Sequence, residues 1–266
     1  MSLSIADSGV RLAVLCIVMA LVATLVYRFA HLGSIRVVPG ALARGALQLA
    51  AISLILAAAL AHIWSALLVL VGMFAAASFT AARRSDAGTS GVWLTVALAS
   101  GIGVVVPLML LSGVVPVEGV ALVPIGGIVL GGAMTATSMA AKRGLDAVDD
   151  RFGEVEAALS LGFSQRDARW EVARIAASDA LLPGVDQTRT VGLVTLPGAF
   201  VGVLLATGSA VQAGAVQVLV LAGLLLAQTC AVAVALELVA RGFVFRGRAV
   251  RPARVRRSCR CAGHGR

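Results

Sequence analysis

The sequence is poor in charged and aromatic residues. Only 13% of its 266 residues are charged and 5% are aromatic, and it contains a single lysine, Lys142. A soluble domain of this length would carry about twice that charged fraction. The scarcity of charge therefore argues against a separate soluble domain.

The single lysine also excludes a phosphate-binding loop for ATP. Such a loop follows the pattern G-x-x-x-x-G-K-[ST], in which the lysine precedes a serine or threonine. Lys142 is followed by Arg143, so the pattern cannot occur anywhere in this sequence. If the protein uses ATP, another chain must hydrolyse it.

Long apolar runs make up most of the sequence. Hydrophobic residues make up 59% of the chain, and the mean hydropathy is +0.98. Runs of about 20 apolar residues can each cross a bilayer as a helix, whereas a barrel would show short alternating segments. The sequence therefore predicts an all-α, multi-pass protein of the inner (plasma) membrane with seven spans, at residues 10–29, 44–61, 63–82, 92–112, 120–141, 188–208 and 214–240.

Basic residues alternate by loop between these predicted spans. Of 22 lysines and arginines, all but Arg11 fall on one side, which the positive-inside rule identifies as the cytoplasm. The pattern predicts an outside N-terminus and a cytoplasmic C-terminus, and it explains the net charge of +9 without a nucleic-acid partner. We expect a transmembrane domain over residues 1–240, with a cytoplasmic segment at 142–187, and a disordered Arg-rich tail over 241–266.

The cytoplasmic segment is predicted to form two helices joined by a sharp turn. Apolar residues from Leu145 to Leu159 recur at helical spacing, and Gly162 suits the left-handed position that ends a helix. Ser164 begins the second helix, and Pro183-Gly184 is expected to end it. The segment could lie on lipid headgroups, but the acidic first helix favours a protein partner over an anionic membrane.

Several motifs in this segment and in the later spans resemble a known family. Glu156-Ala157-Ala158, followed by Gly162 and a later Leu182-Pro183-Gly184, resembles the E-A-A loop of ABC-transporter permeases. Longer stretches resemble the iron-export, FetB-like permeases: Val123 to Met134, Leu159 to Gly162, Thr190 to Gly198, and Arg44 with Gln48-Leu49. Gly132 departs from the family, in which we expect asparagine.

The resemblance implies an all-α permease subunit that is no enzyme and binds no cofactor directly. ATP and Mg would sit on a partner ATPase, and two permease subunits would form a homodimer within the membrane lipid. The residues that would couple to the ATPase are Glu154, Glu156, Ala157, Ala158, Gly162, Pro183 and Gly184. Residues that would line the translocation path, or simply pack, are Arg44, Gln48, Pro124, Gly127, Gly131, Met134, Pro197 and Gly198.

The residues themselves do not identify the substrate. Methionines and cysteines in the spans are soft metal ligands but are equally typical of core packing, so the metal ligands are unknown. Cys259, Cys261 and His264 in the tail match no standard zinc spacing. Three alternatives stay open: a permease for another metal or small polar solute, an ion-coupled secondary transporter, and a membrane scaffold without transport.

Overall fold

A computed structural model describes residues 5–31, 33–34, 36–59, 63–113 and 118–246. This described part is helical, with no named strand. Short 3-10 turns at Gly88–Trp93 and Asp179–Leu181 supplement ten α-helices. The helices are α1 Ile5–Phe29, α2 Val37–Ala59, α3 Ile63–Arg84, α4 Leu94–Leu111, α5 Gly119–Asp150, α6 Phe152–Ser160, α7 Gln165–Ser178, α8 Leu182–Thr190, α9 Gly198–Thr207 and α10 Ala210–Ala240.

Six helical stretches of the described residues are long and apolar enough to cross a membrane. They correspond to six of the seven predicted spans, which confirms an all-α, multi-pass membrane bundle. The seventh, predicted at 188–208, is not one helix: α8 ends at Thr190 and the ten-residue α9 begins at Gly198. The count of seven is therefore not confirmed, and the predicted orientation stays a prediction.

The largest boundary differences from the predictions are in α2 and α5. α2 begins at Val37 rather than at residue 44, because Pro39 falls in its first turn, where a missing backbone N–H costs nothing. α5 does not stop at residue 141 but continues to Asp150. The predicted helix from Leu145 to Leu159 is therefore the end of α5 together with α6, divided at Arg151.

The chain divides into two compact units, residues 1–66 and 67–266. In the first unit, α1 packs against α2. In the second, α10 is the central helix and contacts α4, α5, α7 and α9. α10 buries fourteen residues, many of them alanines or glycines, so its neighbours approach closely.

α7 and α8 run antiparallel to the second half of α10. Arg166 at the start of α7 pairs with Glu237 near the end of α10, and the α7 alanines Ala173 and Ala177 pack in one cluster with Val232. Further along, Gly184 of α8 lies against Gln228. α7 and α8 thus lie along α10 from near its C-terminal end to about its middle.

After a break in the helix, α9 continues along the first half of α10. Residues 191–197 form a turn in which the backbone N–H of Gly192 donates to the carbonyl of Thr195 over 2.9 Å, and Gly192 has a φ of +81°. α9 then leads through the left-handed Gly208 directly into α10. Pro197 is the N-cap of α9, a position where a proline does not interrupt the hydrogen bonds of the helix that follows.

Candidate coupling surface and translocation site

The α6–α7 hairpin has the sharp turn that its sequence predicts. Gly162 has a φ of +93°, which a residue with a side chain rarely adopts. The N–H of Phe163 donates to the carbonyl of Ala158 over 3.1 Å, and that of Gly162 to Leu159 over 3.0 Å. These two bonds form a Schellman motif, which satisfies the last carbonyls of α6 and fixes where α7 begins.

Ser164 is the N-cap of α7, as predicted. Its Oγ accepts a hydrogen bond from the backbone N–H of Asp167 at 3.1 Å and donates one to the Asp167 carboxylate at 2.7 Å. The hydroxyl of Ser164, followed by the guanidinium of Arg166, lowers the pKa of Asp167 below its ordinary value of 3.8. The turn is therefore held by both its backbone and its first side chains.

The tip of this hairpin is exposed and partly apolar. Leu161 is 79% exposed and Phe163 is 51% exposed. Four predicted coupling residues, Glu154, Glu156, Ala157 and Gly162, are exposed on the same hairpin. The fifth, Ala158, is half-buried against the apolar cluster of Val155, Ala168 and Val172 that joins α6 to α7. We call Glu156 to Phe163 the hairpin tip.

Pro183 and Gly184, the other two predicted coupling residues, lie outside the hairpin tip. α7 ends at Ser178, and Pro183 lies in the first turn of α8. The motif therefore begins a helix rather than ending one, because the first turn of a helix leaves N–H groups unpaired and proline lacks that group. Gly184 is buried against Gln228 of α10.

A cavity of about 340 Å³ lies where α5, α8 and α10 meet. Its polar lining consists of Thr135, Gln187 and Gln228, and none of its lining residues carries a formal charge. Gln228 is only 7% exposed, and its Oε1 has no hydrogen-bond partner in the protein. The remaining lining residues are apolar or glycine: Ile128, Gly131, Gly132, Ala136, Met139, Ala180, Pro183, Gly184 and Leu224.

Two charged residues lie close to the level of this cavity. Asp186 and Arg189 follow Gly184 on α8, are 65% and 75% exposed, and pair at 3.9 Å. The predicted bounds place Asp186 at the end of the cytoplasmic segment 142–187 and Arg189 at the start of the span 188–208. The small residues Ala173, Ala177 and Ala180 let this part of the chain pack against the buried face of α10.

Within residues 67–266, the predicted path residues are not brought together. Gly131 lines the cavity, whereas Met134 packs with Met73 and Phe74, and Gly127 also approaches Met73. Pro124 is exposed on α5, and Pro197 and Gly198 begin α9. In the first unit, Arg44 and Gln48 are exposed on α2.

Metal-binding residues do not cluster in the part of the chain that the structure describes. No group of three or more His, Cys, Asp or Glu side chains is arranged to hold a metal ion there. Cys259, Cys261 and His264 lie outside the described residues.

Comparison with known proteins gives one family. The profile of the uncharacterised protein family UPF0014 matches residues 10–244. No solved structure matches the chain.

Individual relatives are about one third identical. The rice UPF0014 membrane protein STAR2 is 32% identical over 71% of this chain and 67% of its own length. Protein ALUMINUM SENSITIVE 3 of Arabidopsis thaliana is 31% identical over 56% of this chain and 55% of its own. The probable iron export permease protein FetB of Escherichia coli is 30% identical over 56% of this chain and 57% of its own.

The predicted resemblance to FetB-like permeases is thus confirmed at the level of the family. The apolar helices and these relatives also confirm a multi-pass protein of the inner (plasma) membrane. The chain belongs to the UPF0014 family of membrane proteins.

Proposed function

We propose that this chain is the membrane-spanning permease subunit of an ABC transporter that exports a metal, iron by analogy with FetB. A separate ATPase would bind ATP and Mg and supply the energy, because this sequence has no phosphate-binding loop. Two copies of the chain would form a homodimer, since two-fold assemblies are the commonest closed oligomers. The chain itself would perform no catalysis.

The observation that carries this proposal is the exposed hairpin tip. Leu161 and Phe163 present apolar area beside the exposed carboxylate of Glu156. An isolated surface turn has no reason to hold two large apolar side chains in water, whereas a docking helix needs an apolar centre with a charged rim. The Schellman motif and the Ser164 cap keep this tip rigid, so a force applied there would be transmitted to the bundle.

The force would reach the membrane through α7. Arg166 joins the start of α7 to Glu237 on α10, and the apolar cluster around Ala173 and Val232 continues the same contact. Movement of the tip would then shift α7 and α8 along α10 as one unit. Alternating access to the two sides of the membrane would follow from this displacement.

The proposal is tested by co-expressing the chain with the stand-alone ATPase encoded by an adjacent gene. The wild-type permease should co-purify with that ATPase and change its rate of ATP hydrolysis. Glu156→Arg and Gly162→Val should each abolish co-purification, since the first reverses a rim charge and the second forbids the left-handed turn. Glu171→Arg is the matched control, because Glu171 is an exposed glutamate of α7 away from the hairpin tip.

Each variant must elute as a monodisperse membrane protein before its binding is interpreted. Normal ATPase capture by both tip variants would refute the coupling role. For the substrate, the reconstituted complex should show iron-stimulated ATP hydrolysis in proteoliposomes. The absence of any response to ferrous or ferric iron would refute the iron assignment while leaving the docking result intact.

One observation favours a second candidate, an ion-coupled secondary transporter. Asp186 and Arg189 lie beside the middle of α10, and ionisable residues at membrane depth are typical of proton- and ion-coupled carriers. This alternative needs no ATPase. Uptake or efflux by the permease alone in liposomes, driven by a proton or sodium gradient, would establish it in place of the ABC assignment.

A further inference from the structure

A second cavity, of about 650 Å³, lies between the end of α3 and the beginning of α4. Its volume is in the range of ligand-binding clefts, about 300–1,000 Å³. Its polar lining residues are Ser78, Arg83, Asp86, Thr89 and Thr95. The Oγ of Ser78 is fully buried and cannot contact a ligand, so four of these residues are available for binding.

This cavity lies at a boundary of the membrane. α3 forms a candidate span of 22 residues, Ile63–Arg84, which is about 33 Å long and therefore matches the hydrocarbon core, about 30 Å. Arg83 and Arg84 are in its last turn. The next candidate span begins at Gly88, after the charged turn that contains Asp86. The cavity is therefore at the level of the lipid headgroups.

The charge that the cavity offers to a ligand is positive. Arg83 forms no ion pair or hydrogen bond within the described residues, and its guanidinium lies 5.5 Å from the centre of the Phe79 ring. Asp86, the acidic residue of the lining, is already paired, because the Nζ of Lys142 lies 2.6 Å from its Oδ2. An anion would therefore find a free guanidinium and a carboxylate whose charge is balanced.

Two hydroxyls of the lining also lack a partner. Serines and threonines in helices commonly donate to the carbonyl of the preceding turn, as Thr80 does to Ala76 over 2.7 Å. Thr89 and Thr95 make no such bond within the part of the chain that the structure describes, and they are exposed and half-buried, respectively. Together with Arg83 they provide one positive charge and two O–H donors.

The 3-10 turn Gly88–Trp93, which carries Thr89, is held in place without a ligand. The Oγ of Ser90 donates to the carbonyl of Phe245 over 2.7 Å and accepts from its N–H over 3.0 Å. A Cβ atom at Gly91 would lie 2.9 Å from the carbonyl oxygen of Ala82, so the turn packs directly on the backbone of α3. The cavity is thus preformed, and a ligand does not have to order it.

Apolar side chains lie beside these polar groups. Phe79 is 64% exposed and Val92 is 63% exposed, and both line the cavity. A small soluble anion would leave them uncovered. The glycerol backbone and first acyl carbons of a phospholipid would cover them while its phosphate occupies the polar part.

We propose that this cavity binds the headgroup of an anionic phospholipid, with the phosphate on Arg83 and on the hydroxyls of Thr89 and Thr95. Arginine suits this role because its guanidinium donates two parallel hydrogen bonds to phosphate oxygens. The orientation predicted from the basic loops puts the site in the cytoplasmic leaflet, where anionic lipids attract basic residues. The inference goes beyond the proposed transport function, and its test needs neither the ATPase nor the transported substrate.

The test measures lipid binding by native mass spectrometry of the delipidated full chain in detergent. Wild type and one variant are mixed, so that both compete for the same phosphatidylglycerol. Arg83→Gln should bind this lipid at least about tenfold more weakly than wild type, the value of one charge-assisted hydrogen bond. Arg84→Gln is the matched control and should change the affinity by less than about twofold, because Arg84 is exposed in the same helical turn but does not line the cavity.

The hydroxyl contact is tested with Thr95→Val, which keeps the shape of the side chain. It should weaken binding about fivefold, and less in the Arg83→Gln background, because both residues would contact one phosphate. The lipid is then varied. Phosphatidylcholine, which has the phosphate but no net charge, should bind at least about fivefold more weakly than phosphatidylglycerol. Glycerol 3-phosphate, which has no acyl chains, should not displace phosphatidylglycerol at equal concentration.

Three results would overturn the proposal. Equal losses in Arg83→Gln and Arg84→Gln would indicate only a general attraction to basic residues, and equal affinity for phosphatidylcholine would exclude selection by charge. Displacement by glycerol 3-phosphate would indicate a soluble ligand. Arg83→Lys keeps the charge and should retain more affinity than Arg83→Gln, and monodisperse elution of both separates loss of binding from loss of folding.

Discussion

The carboxylate of Glu237 on α10 accepts two hydrogen bonds from the guanidinium of Arg166 on α7, at 2.6 and 3.0 Å. Arg241 donates a further bond to the same carboxylate at 2.6 Å, and Arg166 also stacks over the ring of Trp170 at 4.9 Å. Bidentate pairs of this kind fix orientation as well as distance. The pair therefore links the start of α7 to α10, the central helix of the bundle.

We predict that Arg166→Gln and Glu237→Gln uncouple transport from ATP hydrolysis. The hairpin tip remains intact in both variants, so the ATPase should still co-purify, while the solute moved per ATP falls. The pair is partly exposed and screened by solvent, so we expect only a weak coupling in a double-mutant thermal-unfolding cycle. Arg174→Gln is the control, because its ion pair with Glu171 stays within α7. Unchanged stoichiometry in both variants would exclude this route of force transmission.

A second prediction concerns the cap of α7. Ser164→Ala removes the oxygen that accepts from the Asp167 N–H and should cost about 1 kcal/mol, whereas Ser164→Thr keeps the cap. The measurement is hydrogen exchange of the Asp167 amide. Exchange should accelerate about fivefold or more in the alanine variant and stay near wild type in the threonine variant. Equal exchange rates in all three proteins would mean that the cap does not hold the turn.

The cap of α7 also leads to a prediction about how the ionisation of Asp167 depends on pH. The Ser164 hydroxyl and then Arg166 keep the pKa of Asp167 below 3.8 in the folded protein. A carboxylate with a depressed folded pKa contributes stability that is present above its unfolded pKa and is lost as the pH falls through the folded one. Asp167 is thus ionised at neutral pH and should titrate only below pH 3.8. In Ser164→Ala the pKa should rise towards the ordinary value, which a carboxyl-resolved NMR titration would detect.

The turn at Gly162 and the cap at Ser164 were both predictable, because each depends on a few residues close together in sequence. The apolar runs were predictable for a similar reason, since length and composition suffice to identify a membrane helix. The path of the chain after Ser178 was not predictable. It depends on which face of α10 accepts the small residues of α7 and α8, and that contact joins residues more than forty positions apart.

The stretch predicted as the span 188–208 is divided at residues 191–197, between α8 and α9, inside an apolar stretch that hydropathy alone treats as continuous. Gln228 was overlooked for another reason: one glutamine in a long apolar helix carries no periodic pattern, and its burial between two glycines is visible only in three dimensions.

We predict that Gly184→Ala destabilises the protein by about 1–3 kcal/mol, because its methyl group would overlap the clamped amide of Gln228. Gly131→Ala is the matched control and should change stability by less than about 0.5 kcal/mol, since the space there is open. Thermal unfolding in detergent measures both. Gln228→Ala should relieve the overlap and restore much of the stability of Gly184→Ala. A Gly184→Ala protein as stable as the control would mean that α8 does not pack against α10 at this level.

The last prediction concerns Asp186 and Arg189, the charged pair of α8. Asp186 and Arg189 lie two and five residues beyond Gly184, which packs against Gln228 near the middle of α10. Exposure of 65% and 75% cannot mean exposure to lipid, because a charged side chain at the bilayer centre costs at least about 2.5–3.5 kcal/mol. We therefore expect this face of α8 to meet water. In a cysteine-free background, Arg189→Cys should react with a charged methanethiosulfonate, which should not modify Gly103→Cys on the apolar α4.

Removing one partner of this pair should be worse than removing both. Arg189→Leu leaves the carboxylate of Asp186 without its counter-charge, so we expect at least about a tenfold loss of transport with normal ATPase capture. The double variant Asp186→Asn, Arg189→Gln keeps polar side chains without net charge and should recover part of the activity. Asp150→Asn, at the end of α5, is the control and should be neutral. Wild-type transport by Arg189→Leu, together with an unreactive Arg189→Cys, would show that the pair faces neither the path nor a subunit interface.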